Sequence, residues 1–216
     1  MLCPSAGATP ASSPGSSGNY TVLAGSTVTN TGTTRVDGNV GLYPGTSLTG
    51  FSTVTVTGDT DDDNANAQNG QAILTAAIND ARGRSSTSIP AELGGTSPVP
   101  GVYSTPSGTF SISSLPLTLD ANGDPNAVWI FQATTLTTVT GNVVLAGSAN
   151  GCNVFWEVSS GATGATLGTG TTFYGNILAS TSITLDAGAT IPEGRVLAST
   201  GAVALDDNTI GGCSCP

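Results

Sequence analysis

The chain has 216 residues, with 30 Gly, 34 Thr, 5% aromatic and 8% charged residues. That is room for one large domain or at most two, with too little Leu, Glu and Lys for a helical bundle. Thr and Val favour strands and Gly favours turns, so an all-β domain is expected. The formal net charge is −10, and with no Lys and no His the only cations are Arg35, Arg82, Arg84 and Arg195. This balance excludes nucleic acid and anionic membranes as natural partners, and no apolar run is long enough to span a bilayer.

Residues 1–18 are Ser, Gly, Pro and Ala without periodicity and read as an irregular lead-in or cap. Met1-Leu2-Cys3-Pro4 lacks the basic start and apolar stretch of an export signal. The expectation is a secreted, mature form whose signal has been removed, with Met1 an added start residue. Short alternating runs follow at Tyr20 to Ala24 and at 26–30, 35–40 and 52–56. In Thr53-Val54-Thr55-Val56-Thr57 the valines point in and the threonines out.

The pattern changes at residues 59–84. Asp61, Asp62 and Asp63 are taken as N-cap and first-turn carboxylates, and Ala67, Gln71, Leu74, Ala77, Ile78 and Ala81 follow at helical spacing up to Gly83. One helix over about 61–83 is predicted, lying along one flank of the β domain to bury its narrow apolar face. The triple Asp as a calcium site is the weaker reading, since EF-hand spacing and its Gly are missing. Strands resume at about residue 101. Val128-Trp129-Ile130-Phe131 and Val154-Phe155-Trp156 are apolar on both faces and belong under the helix.

Two near-copies of one unit close the chain. The first is Ile177-Leu178-Ala179-Ser180-Thr181-Ser182-Ile183-Thr184-Leu185-Asp186. The second is Val196-Leu197-Ala198-Ser199-Thr200-Gly201-Ala202-Val203-Ala204-Leu205-Asp206, and a third copy sits near the start as Val22-Leu23-Ala24-Gly25-Ser26-Thr27-Val28-Thr29-Asn30. A unit repeating at about 20 residues is the mark of a solenoid. Alternation puts Val28, Ile183, Leu185, Val203 and Leu205 inward. Thr27 and Thr29, Ser182 and Thr184, and Ala202 and Ala204 then face outward, a column with no charge and no long side chain.

Cys3, Cys152, Cys213 and Cys215 lack the CxxC or His partners of a metal site and are read as disulfide candidates in an exported protein. Three connectivities exist. A bridge from Cys3 to Cys152 or to a tail cysteine, Cys213 or Cys215, is favoured over a strained Cys213 to Cys215 link. Catalysis is not expected: Asp120, Asp124, Asp186 and Asp206 sit in turn-like contexts, and no paired carboxylates or His share a motif. A secreted adhesin or surface-matrix module is the alternative on composition, although the calcium-binding nonapeptide repeat is absent.

The joint order of several segments carries a resemblance. They are the 22–32 run, Gly38-Asn39-Val40-Gly41, Pro44-Gly45-Thr46, Asn79-Asp80-Ala81-Arg82-Gly83-Arg84, Pro100-Gly101-Val102-Tyr103, Leu119-Asp120-Ala121-Asn122-Gly123-Asp124, Cys152-Asn153-Val154-Phe155-Trp156, Gly168-Thr169-Gly170-Thr171-Thr172-Phe173 and Gly175-Asn176-Ile177-Leu178-Ala179. In these the chain resembles the microbial ice-binding (antifreeze) proteins across nearly the whole of residues 19–210. The resemblance implies an irregular right-handed parallel β-solenoid (β-helix), triangular in section, with a single long helix packed along one face. It implies one solenoid domain over 19–212, a Cys-containing tail at 213–216, no catalysis, no cofactor, no metal, and a monomer whose partner is an ice surface. It also implies a flat Thr/Ser/Ala face, for which Thr27, Thr29, Thr55, Thr57, Thr166, Ser182, Thr184, Ala202 and Ala204 are the candidates. The family's loose Thr-(Ala/Gly)-any-(Thr/Asn) pattern occurs at Thr31, Thr57, Thr163 and Thr169. The disulfide-stabilised cap that some members insert before the helix has no counterpart here.

Overall fold

The computed structural model describes residues 19–159 and 164–213; the proposed lead-in over 1–18 lies outside them, as do Cys3, Thr163 and Cys215. The chain winds through successive turns, most of which contribute one strand to each of three sides. The first turn is β1 (Tyr20–Ala24), β2 (Thr27–Thr31) and β3 (Thr34–Val36), and the second is β4 (Asn39–Leu42), β5 (Ser47–Thr49) and β6 (Val54–Val56). A third turn opens with β7 (Thr60–Asp62), which the chain leaves through α1 (Ala65–Gly83) and β8 (Thr87–Ser88). Two turns then follow as β9 (Gly101–Ser104), β10 (Thr109–Ile112) and β11 (Leu117–Asp120), and β12 (Trp129–Ala133), β13 (Thr135–Thr138) and β14 (Val143–Ala146). The last three begin with β15 (Val154–Val158) and β16 (Ala165–Leu167), continue with β17 (Gly175–Ala179), β18 (Ile183–Leu185) and β19 (Thr190–Ile191), and end with β20 (Gly194–Ala198), β21 (Val203–Asp206) and β22 (Thr209–Ile210). The result is the expected triangular, right-handed β-solenoid.

Stacking does not follow chain order. The first side runs β7-β4-β1-β20-β17-β15-β12-β9-β8, and the second runs β10-β13-β16-β18-β21-β2-β5. The chain therefore starts mid-stack, builds two turns toward one end, crosses along the helix to the other end and winds back until its last turn meets its first. All strand pairs between the named strands are parallel. The three Val/Ile-Leu-Ala repeats of the sequence are three adjacent rungs of the first side, where Val22 pairs with Val196 and Val196 with Ile177.

Alternation along these strands sorts side chains by destination. Val22, Val196 and Ile177 enter the solenoid core, while Leu23, Leu197 and Leu178 face outward and meet Leu74 and Ile78 of α1. Burying such a Leu or Ile contributes roughly 1.5–3 kcal/mol, enough to dock a helix with no other partner. At Gly70 an added Cβ would lie 2.6 Å from the Tyr20 ring, so the helix axis can come this close only with Gly there. Polar contacts fix the helix in register. Arg82 donates to the buried carboxylate of Glu157 at 3.0 Å, and Gln132 Nε2 donates to the carbonyls of Ala81 and Arg84, both at 2.7 Å. The latter satisfy carbonyls at a helix end that has none within the helix to bond them. Inside the solenoid Tyr103, Phe131, Trp156 and Phe173 form a continuous run of ring contacts.

One expectation is corrected and another narrowed. The helix starts at Ala65, not at 61: Asp61 and Asp62 belong to β7, Asp63 turns the chain at φ 45°, and Asn64 is the N-cap, its side chain accepting from Asn66 N and Ala67 N. The Asp61 carboxylate instead accepts from Tyr20 Oη at 2.7 Å and Asn64 Nδ2 at 2.6 Å. A terminal Asp of an edge strand and a helix-capping Asp look alike in sequence. Cys152 is bridged to Cys213, so of the favoured bridges from Cys3 only that to the tail cysteine Cys215 stays open, and both of those residues lie outside the described ones. The bridge ties the C-terminal strap to the turn before β15.

Candidate functional site

The first side is covered by α1. The second side carries no covering element among the described residues and is built from the outward positions of seven short strands. The strand register runs Thr49, Thr29, Ala204, Thr184, Thr166 and Thr137 to Ser111 along one column. Two residues earlier on each strand, a second column runs from Ser47 beside Thr27, through Ala202, Ser182 and Gly164, to Thr135 beside Thr109. Inward residues between the columns, Val28, Phe110, Leu136, Ala165, Ile183 and Val203, are buried. Parallel strands are spaced about 4.8 Å apart and alternate residues about 6.6 Å, so the columns form a near-rectangular grid.

Stacked corners keep this grid flat. At Gly25, where the chain passes from the first side to the second, a Cβ would lie 2.3 Å from the Ser199 carbonyl oxygen of the next turn. The Gly25 and Ser26 amides both donate to Gly201 O, at 3.0 and 3.1 Å. No charged residue occupies either column from β5 to β10.

Among the described residues, most threonine hydroxyls on this face are free, as are those of Thr55, Thr118 and Thr209 on the third side. On the face, Thr27, Thr29, Thr109, Thr135, Thr137, Thr166 and Thr184 make no side-chain hydrogen bond to any described residue. Several threonines at the corners and inside do bond: Thr134 donates to Gly108 O and Thr200 to Ser180 O, both at 2.7 Å, and Thr171 to Gly168 O at 2.7 Å. Free hydroxyls and methyls held on β-branched side chains, stiff at χ1, leave a rigid array whose donors and acceptors are all available to water.

Of the nine candidates, Thr27, Thr29, Thr166, Ser182, Thr184, Ala202 and Ala204 lie together here. Thr55 and Thr57 do not. Thr55 is in β6 on the third side, in register with Arg35, and Thr57 follows it, its Oγ1 accepting from Gly38 N. Alternation tells inward from outward but not which of three sides a strand occupies. The third side is not uniform either, since its outward column includes the exposed ion pair of Arg35 with Asp37. Sequence reading missed Ser47, Thr49, Thr109, Ser111, Thr135 and Thr137. The run Thr135-Leu136-Thr137 carried the signal, but a lone Leu among threonines reads weakly as a strand. In the Thr-Gly patterns, Gly32, Gly164 and Gly170 all take positive φ, and of these only Gly164 stands in a column of the face.

Charge appears only at the borders. Asp206, in register with Thr31, lies one position beyond the gridded residues. At the β10 end Glu92 bridges to Ser111 in parallel register. Its carboxylate accepts from Gly94 N and Ser113 N at 2.9 Å, Ser111 Oγ at 2.8 Å and Ser113 Oγ at 2.6 Å. Partial burial opposes ionisation of Glu92, but these four donors outweigh it and lower its pKa.

The chain matches a family model described as ice-binding-like over residues 22–211. It is 42% identical over 207 residues to an ice-binding protein of Nostoc sp. (strain HG1), covering 91% of this chain and 72% of the relative. It is 34% identical over 228 residues to an ice-binding protein of Colwellia sp., covering 91% and 81%. Among solved structures, an ice-binding protein from an Antarctic biological consortium superposes with TM-score 0.83 at 40% identity, covering 94% of this chain and 92% of that one. One from the Antarctic ascomycete Antarctomyces psychrotrophicus superposes with TM-score 0.84 at 34% identity, covering 93% and 98%. With the solenoid, the flanking helix and the open hydroxyl face in place, the chain belongs to the ice-binding-like family.

Proposed function

We propose that this protein adsorbs to ice through the second side of its solenoid. The observation that carries this reading is the flat, uncovered two-column array of small, uncharged outward residues, seven of whose threonine hydroxyls are left without partners among the described residues. On this reading the hydroxyls join the outermost water layer of the crystal while the methyls fill the spaces between. Little side-chain entropy is lost on docking, because χ1 is already restricted. Each contact is weak, but the contacts form together over a rigid plane, and the bound molecule desorbs slowly. Ice growing between bound molecules must then curve, which lowers its freezing point relative to its melting point and suppresses recrystallisation.

The reading includes a secreted monomer without catalytic activity. The carboxylates singled out in the sequence support the last part: Asp120 and Asp124 accept from the backbone amides of Asn122 and Asn126, as turn-forming side chains do. The test is a single ice crystal held just below its melting point in purified protein. A faceted crystal that stalls over a temperature gap is expected. A disc that grows freely in folded protein at every concentration overturns the reading.

A further inference from the structure

The ice-facing column that ends in Ser111 has one more in-register member, and it is an acid. Residues 91–93 add a partial rung to the second side beyond β10: Ser111 N donates to Ala91 O at 2.9 Å, Leu93 N donates to Ser111 O at 2.8 Å, and Glu92 pairs with Ser111. Leu93 is buried, so Glu92 shares the outward orientation of Ser111, Thr137 and Thr166. We infer that Glu92 is the terminator of the ice-contacting lattice, fixing its length at this end of the solenoid. The inference rests on the proposed ice-binding role of this face.

Two physical effects act together. An ionised carboxylate orders its hydration shell around the charge, and transferring it to an ice interface strips or distorts that shell. The same carboxylate accepts a hydrogen bond from the Ser111 hydroxyl, so the last hydroxyl of the column is turned along the sheet toward Glu92 rather than out to water. The free threonine array thus stops in this column at Thr137, although the backbone grid continues for two further rungs. At the β5 end no such acid occurs: Ser47 and Thr49 bond only to each other, at 3.3 Å.

The test compares E92Q and E92T with the unmodified protein, using hysteresis at matched concentration and decoration of an ice hemisphere by labelled protein. Gln is nearly isosteric: its amide can donate to the serine oxygens, which frees their protons outward and removes the charge. Thr extends the column by one residue. With cooperative melting retained, both variants are expected to reach a given hysteresis gap at about threefold lower protein concentration, the scale of one added weak contact. A merely structural role for Glu92 cannot raise activity. Unchanged or lower hysteresis in folded variants, or loss of the fold in both, overturns the inference. T137Y, in the same column, separates the two levels: if it leaves hysteresis intact, the ice-binding reading of the face has failed. If it abolishes hysteresis while the Glu92 variants change nothing, only the terminator has failed.

Discussion

Val22 and Val196 sit side by side on adjacent parallel strands, although they come from opposite ends of the chain. This pair marks the seam where the first turn of the solenoid meets the last, and the seam crosses the hydroxyl face where Thr29 neighbours Ala204. The face is therefore a product of long-range closure and not of local repeats alone. Replacing Val22, fully buried in the core, by Ala should lower stability by about 2 kcal/mol through lost transfer energy and a residual cavity. Denaturant unfolding measures this, and a loss under about 0.5 kcal/mol would show that the seam relaxes freely.

The helix clamp can be tested apart from the face. Glu157 is buried, and Arg82 and Ser159 are its partners. Arg82→Ala strands the carboxylate, and since the guanidinium is itself half in solvent, the expected cost is about 2 kcal/mol, less than for a fully buried pair. Adding Glu157→Gln should restore part of it. Hysteresis per folded molecule should not change, because the helix lies on the first side.

Acid and alkali should attack different contacts. Burial and then the Glu92 hydrogen bonds act in opposition, with the bonds prevailing, so its folded pKa lies below the ordinary 4.5. For Asp61 likewise, burial is outweighed by hydrogen bonds from Tyr20, Asn64 and Asn66, and its pKa lies below 3.8. Their contributions are present above those ordinary values and are lost as pH falls through the folded ones. Tyr20 is shifted the other way, by burial and then by its bond to Asp61 and the charges of Asp61 and Asp59. Its contribution is present below the ordinary value of 10.0 and is lost as pH rises past it. Thermal melts across pH should show both limbs, with Tyr20→Phe flattening the alkaline limb and Glu92→Gln the acid one. A melting temperature that ignores pH in both variants and parent would contradict this.

The Cys152 to Cys213 bridge closes a sequence separation of 61 residues. Removing it with a paired Ser substitution should cost about 4 kcal/mol by chain entropy. Reduction should lower the melting temperature without altering the shape of ice crystals grown in the cold, since neither cysteine lies on the face.

Much of this was legible in the sequence. The Val/Ile-Leu-Ala repeats specified three stacked rungs, and the helical spacing of Ala67, Leu74 and Ile78 specified a docked helix whose face is the one observed. In β18, alternation correctly turned Thr184 out and Ile183 in. Two kinds of information were not local. Which side Thr55 occupies depends on how many corners precede it, and corners here are set by stacked glycines and backbone bonds to the next turn. The partner of Cys152 depends on the C-terminal turn folding back past β20, a contact that no spacing encodes. Glu92 reads as an ordinary loop acid until residues 91–93 are seen to prolong the hydroxyl column.

The most direct test of the central claim pairs two substitutions of the same kind on two sides. Thr184→Tyr puts a large ring in the middle of the array, and Thr55→Tyr puts one on the third side. Both point to solvent and should leave the fold intact. Measured as hysteresis of a single ice crystal at matched concentration, Thr184→Tyr is predicted to lose most of the activity and Thr55→Tyr to keep it. Full activity in Thr184→Tyr, or its loss in Thr55→Tyr alone, would contradict the account.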